Sequence, residues 1–245
     1  MRALQPLVVI GAGGHGREAL EIVRAINAAT PTFTVLGVLD DDASAESTLA
    51  RIGIALLGPP ELLADIDAMY VIGVGDSAAR KRIADRVHDC DNQPATLVHP
   101  HASVGDDVEL GPGTIINAGS RVTTYTSFGR HVHLNTNANI AHDSRLEDFV
   151  TISPGVSLAG TVHLHEGVTL FTNATVIPGR TIGAWTTVGA GAVVTRDLPP
   201  GVTAVGVPAL ARDSRRVASP APASPTRRSA APRILNAVPQ DPPAV

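Results

Sequence analysis

At 245 residues, 44 % apolar and with a formal net charge of −4, the chain has room for one large or two modest domains, and it lacks the basic field that nucleic acid or an anionic membrane would need. Its single cysteine, Cys90, excludes an intramolecular disulfide and fits a reducing cytoplasm. No apolar run approaches the roughly 20 residues of a membrane span, and no charged region followed by a signal core stands at the N-terminus.

The first predicted element is a short buried strand, Leu7-Val8-Val9-Ile10, which runs into Gly11-Ala12-Gly13-Gly14-His15-Gly16 and a helical pattern from Arg17 to Asn27. This is G-x-G-x-x-G between strand and helix, where glycines permit a tight turn and the helix N-terminus offers free N–H groups to a phosphate. A second strand, Thr34 to Leu39, ends in Asp40-Asp41-Asp42, placed to accept from a ribose hydroxyl. A helix-like Pro60 to Ile66, a strand Met69 to Val74 and an amphipathic helix Ala78 to His88 follow. Residues 1–95 read as a small Rossmann-like α/β domain with a parallel sheet. Fewer than 100 residues supply only half of a dinucleotide site, which suits a mononucleotide diphosphate better than NAD.

From Val98 to Val194 every sixth residue is aliphatic or Phe, and the residue two before it is small or β-branched, with Arg180 the exception. A hexad is neither a helical period of 3.6 nor simple alternation. It predicts a parallel β-helix in which three hexads, 18 residues, make one coil and the coils stack about 4.8 Å apart. The domain is expected over 96–212. Beyond it, 213–245 is rich in Pro, Ala and Ser and predicts a disordered tail.

Taken together, the hexads and the glycine-loop domain resemble the hexapeptide-repeat, left-handed β-helix acetyltransferases, specifically the sialic acid O-acetyltransferase and nucleotide-sugar N-acetyltransferase family. The resemblance covers residues 6 to about 212. It implies acetyl-CoA as cosubstrate, no metal, and a nucleotide-linked or sialic-type sugar as acceptor, in cell-surface polysaccharide biosynthesis. It also implies a homotrimer with coenzyme A between neighbouring β-helices and outer faces such as Val168 to Phe171 buried between chains. By position it marks Gly13, Gly14, His15, Asp40 and Asp41 for the substrate, and Thr172, Ala190 and Thr151 for the cofactor.

Acetyl transfer needs a general base, an oxyanion donor and a groove for the pantetheine. His142 follows Ile140 by two residues, near a corner, with Asp143 beside it to hold the imidazole; the resembled family places its catalytic His before an acidic residue in a similar segment. One coil on, 142 plus 18 is 160, and Gly160 offers an uncovered N–H to the oxyanion or the thioester carbonyl. Arg196 is a candidate for a CoA phosphate. The competing classes are a non-catalytic sugar-nucleotide-binding or scaffold protein and a zinc-dependent carbonic anhydrase-like β-helix. The latter expects two His five apart, and no two of the nine histidines are. His131/His133 and His163/His165, spaced i, i+2, would face one side of a strand and hold at most an adventitious ion.

Overall fold

The computed structural model describes residues 3–212; the tail expected over 213–245 lies outside the described residues. The N-terminal part runs β1 (Gln5–Ile10), α1 (Gly14–Ala29), β2 (Phe33–Leu39), α2 (Glu46–Ala50), β3 (Leu56–Gly58), a 3₁₀ turn (Pro60–Asp65), β4 (Met69–Ile72) and α3 (Ser77–Arg86). The sheet is parallel with order β3-β2-β1-β4, so β1 is interior and Leu7 to Ile10 are buried on both faces. Strand β4 stops at Ile72, short of the expected Val74. Gly73 lies against Gly16, where a Cβ would come within 2.5 Å of the Gly16 Cα. Helix α3 starts one residue early because Asp76 caps it, its carboxylate accepting from Ala79 N–H at 2.7 Å.

The hexads form a parallel β-helix of three faces. The first face stacks Leu97–Val98, Ile115–Ile116, His133–Leu134, Thr151–Ile152, Thr169–Leu170, Thr187–Val188 and Thr203–Val205. The second stacks Ser103–Val104 through Asn139–Ile140 to Val193–Val194, and the third Val108–Leu110 through Arg145–Leu146 to Thr181–Ile182. Partners such as Thr151 and Thr169, or Ser157 and Thr175, are one 18-residue coil apart. The pleat turns the hexad residues inward, and those from Ile116 to Val194 are buried. Val104, in the opening coil, has nothing below it and is 36 % exposed.

Arg180 does not enter the small interior column. Its guanidinium turns out to Pro178 O at 3.3 Å and Asp197 at 3.6 Å. The final coil is two residues short: Ile182 bridges to Leu198 and Thr187 pairs with Thr203, an offset of 16.

The change from α/β elements to hexad strands falls between α3 and Leu97–Val98, and the two parts share cores and pack as one unit. Leu97 and Ile115 of the β-helix join Leu7, Val9 and Leu20; Phe149 joins Val8, Ile10 and Leu63. The α/β part therefore covers the first face. This corrects the reading of Val168 to Phe171 as an outer face: Val168 and Leu170 are interior, the Thr169 hydroxyl meets Ser77 at 3.0 Å, and only Phe171 is exposed.

Candidate active site

His142 lies at the edge where the second face turns into the third, between Asn139–Ile140 and Arg145–Leu146. Asp143, at φ 55°, occupies the left-handed corner position and its Oδ2 sits 2.7 Å from His142 Nδ1. Since the carboxylate only accepts, Nδ1 carries the proton and Nε2 keeps a free lone pair. The ring lies flat against the next coil, where a Cβ on Gly160 would come within 2.6 Å of Cε1 and 2.7 Å of Nε2. Among the described residues the Gly160 N–H has no backbone acceptor, whereas its neighbours bond to Val176 O and His142 O. His142 and Gly160 thus share an edge, as the coil arithmetic predicted. His142 and Asp143 side chains are 60 % and 57 % exposed, so within one chain the site is open.

Arg196 stands on the same edge, exposed, three coils above His142 and so about 14 Å along the axis. Thr172 and Ala190 are exposed and stacked one coil apart, but on a different edge, where the first face turns into the second. Thr151 belongs to neither edge. It is 5 % exposed on the first face, and its hydroxyl accepts from Arg80 at 2.8 Å and donates to Gly75 O at 3.1 Å, which corrects its assignment to the cofactor.

In the α/β part the glycine motif divides its labour. Gly11, at φ 108°, and Gly16 are structural; a Cβ on Gly16 would strike Gly11 O at 1.8 Å. Gly13 and Gly14 instead face open space at the start of α1. Gly13 lines a cleft of about 300 Å³ together with Ala12, Arg17, Asp40, Asp42, Ser44 and Thr48. Asp40 accepts from Ala12 N–H at 2.7 Å and Asp42 N–H at 2.8 Å, which holds the loop. Arg17, which sequence reasoning missed, adds a cation beside the free amides; its place one helical turn after Gly13 was the available signal. Asp41 is not brought to this cleft. Arg86 grips its carboxylate at 2.7 and 2.9 Å, together with Glu61, and holds it below the usual carboxylate range.

His15 turns away from the cleft into the junction with the β-helix, its Nε2 2.8 Å from His133 Nδ1 and its Nδ1 3.1 Å from Glu18. Arg80, absent from the sequence reading, is fully buried there. It donates to the carbonyls of His131, Val74, Gly75, Phe149 and Val150 and to Thr151, with no carboxylate. Burial lowers its pKa to about 9, against the pull of Asp76. Burial, with Arg80 close by, also lowers His15, sends His131 down to about 4 and His133 well below its ordinary value. These imidazoles are neutral. His131 sits at a corner, φ 53°, stacked on Phe149, so His131/His133 is not the strand pair its spacing suggested.

The N-terminal residues 6–87 match the PglD N-terminal domain. Over 209 residues the chain is 29 % identical to GDP-perosamine N-acetyltransferase of Escherichia coli O157:H7, covering 82 % of this chain and 93 % of that one. The crystal structure of PerB from Caulobacter crescentus, in complex with CoA and GDP-perosamine, is 33 % identical, covers 86 % of this chain and 99 % of that chain, and superposes with a TM-score of 0.78. The acetyltransferase domain of PglB from Neisseria gonorrhoeae FA1090, in complex with acetyl coenzyme A, is 29 % identical with a TM-score of 0.75, over 86 % of this chain and all (100 %) of that one. The shared architecture is the left-handed parallel β-helix behind a small parallel-sheet domain. Fold, glycine-loop domain and a 33 % identity that spans 86 % of this chain agree, and the chain belongs to the hexapeptide-repeat nucleotide-sugar N-acetyltransferase family.

Proposed function

We propose that this chain is an acetyltransferase that moves the acetyl group of acetyl-CoA onto the amino group of a nucleotide-linked amino sugar. The observation that carries the reading is the His142 edge: a tautomer fixed by Asp143, a free Nε2 and an unpartnered Gly160 N–H one coil above. As the amine attacks the thioester carbonyl, His142 Nε2 takes its proton. Gly160 N–H donates to the oxyanion, and collapse expels the CoA thiolate, which recovers the proton from the imidazolium. Arg196 would face a CoA phosphate, and the Gly13, Gly14 and Arg17 cleft would hold the sugar nucleotide's diphosphate.

The α/β part sits on the first face, and His142 lies on the opposite edge of the prism. A sugar nucleotide held at the glycine loop is therefore turned away from the base of its own chain, and the exposed His142 needs cover from outside. Both facts support an acceptor site assembled between copies, a homotrimer in this reading, with acetyl-CoA bridging the His142 edge of one β-helix and the Thr172/Ala190 edge of the next. The single cysteine and the acetyl-CoA requirement fit a cytoplasmic setting. Among the described residues no helix is long and apolar enough to cross a membrane.

The test is thiol release from acetyl-CoA with a panel of GDP- and UDP-linked amino sugars and their hydroxy analogues. CoA appears with the amino sugars; release with none of them overturns the function. Co-expressing His142→Ala with Arg17→Ala chains tests the shared site, because mixed assemblies regain turnover only if base and cleft come from different chains.

A further inference from the structure

On the third face, along the strands that follow the His142 corner and the corner one coil above it, three side chains converge. Leu164 is interior, so the flanking His163 and His165 both point outward, and Glu147 lies one coil beneath His165 through the Leu146 to Leu164 pairing. Glu147 Oε1 is 2.8 Å from His163 Nε2 and 3.2 Å from His165 Nδ1, and the three ligand atoms lie within 4.8 Å of one another. The carboxylate's other oxygen accepts from Glu166 N–H at 3.1 Å, which fixes its orientation. Beside Glu147 opens a cleft of about 620 Å³ where Asp148 is already paired with Arg130 at 2.8 Å, while Glu109 and Glu166 outnumber Arg145, a setting that favours a cation. The two imidazoles are about a third exposed, at 32 % and 37 %, leaving room for water on a bound ion.

We propose that Glu147, His163 and His165 form a binding site for a divalent transition ion of the Zn²⁺ class, with two imidazole nitrogens and one carboxylate oxygen as ligands and water completing the shell. Two nitrogen donors suit Zn²⁺, Co²⁺ or Ni²⁺, whereas Mg²⁺ and Ca²⁺ demand oxygen. The sequence reading gave the His163/His165 pair at most an adventitious ion; the carboxylate supplied by the preceding coil is what that pair lacked. Because the ligands come from two successive coils and their side chains stand on the third face itself, rather than on the edge that carries His142, the ion pins one coil to the next and takes no part in acetyl transfer.

The test is equilibrium dialysis of the full chain, stripped with chelator, against Zn²⁺, read by elemental analysis. One tightly held ion per chain is expected. Loss of an outer partner of a metal ligand already weakens binding roughly 10- to 100-fold, so Glu147→Gln and His165→Asn should each weaken it at least about 100-fold. His99→Asn, in the His99/His101 pair of the opening coil, should bind as the parent does. Zn²⁺ should raise the melting temperature of the parent and not of Glu147→Gln, and the Co²⁺-loaded parent should show visible ligand-field bands that vanish in His165→Asn. The proposal is overturned by no tight ion, by parent-like affinity in Glu147→Gln, or by loss of the ion in His99→Asn. If Glu147→Gln does not fold, the Co²⁺ spectra of the parent and His165→Asn decide.

Discussion

His133 and His142 belong to the same stretch of coil and meet opposite environments. His142 stands on a free edge, its ring braced by one carboxylate and one glycine, and the fold asks nothing of it. His133 is fully buried under the α/β part, against His15 and near a guanidinium that hydrogen-bonds to no carboxylate. In the proposed reading the edge is chemistry, and it can be removed without touching the core. The junction is structure, held by a buried Arg80 donating to five carbonyls. In a β-helix the inward residues are alike on all three faces, so what lies outside each face decides whether an outward residue serves reaction or stability.

The sharpest way to break that contrast is His142→Ala. We expect kcat/KM to fall roughly 10²- to 10⁴-fold, with the urea midpoint unchanged; a large loss of stability would mean that the edge is structural after all. Arg80→Met should do the reverse, costing about 3–5 kcal/mol in urea denaturation because buried acceptors lose their donor. The third test is pH. His131 binds a proton less readily folded, at about 4, than at its ordinary 6.5. Between those values the unfolded chain holds more protons, so stability is full above about pH 6.5 and declines as pH falls toward 4. His131 alone accounts for on the order of 3 kcal/mol. His131→Asn, which tolerates the left-handed backbone, should flatten the slope measured between pH 7.5 and 4.5. Gly160→Ala puts a methyl against the His142 ring and should lower kcat about 10- to 100-fold at unchanged stability. Smallest of all, Arg196→Ala should raise the KM for acetyl-CoA up to about fivefold, as expected of a solvated charge.

The parts legible in the sequence were those the chain encodes locally. The hexad fixed inside against outside, and the 18-residue repeat set Gly160 over His142 without reference to any other segment. The errors came where the answer lay in another part of the chain. Thr151 and Val168 to Phe171 have the right period, but a period does not say which face is covered. Arg80 looked like one more charge on the polar side of an amphipathic helix; its carbonyl partners lie in three separate segments, and no spacing joins them. Asp41 follows a strand as a ribose ligand should, yet Arg86, 45 residues on, takes its carboxylate.

The shortened last coil bears on how such a molecule stays discrete. A stack of parallel strands ends in a row of unpaired amides and carbonyls, an invitation to add another chain. Here all three faces are closed at that end by one segment. Leu198 bridges Ile182 on the third face, Gly206 and Ala209 bond to Val193 on the second, and Leu210–Arg212 runs antiparallel along Thr203–Val205 on the first. Reversing direction at the last described strand breaks the parallel template that every coil below it offers, so that end of the stack presents an antiparallel edge to any further chain.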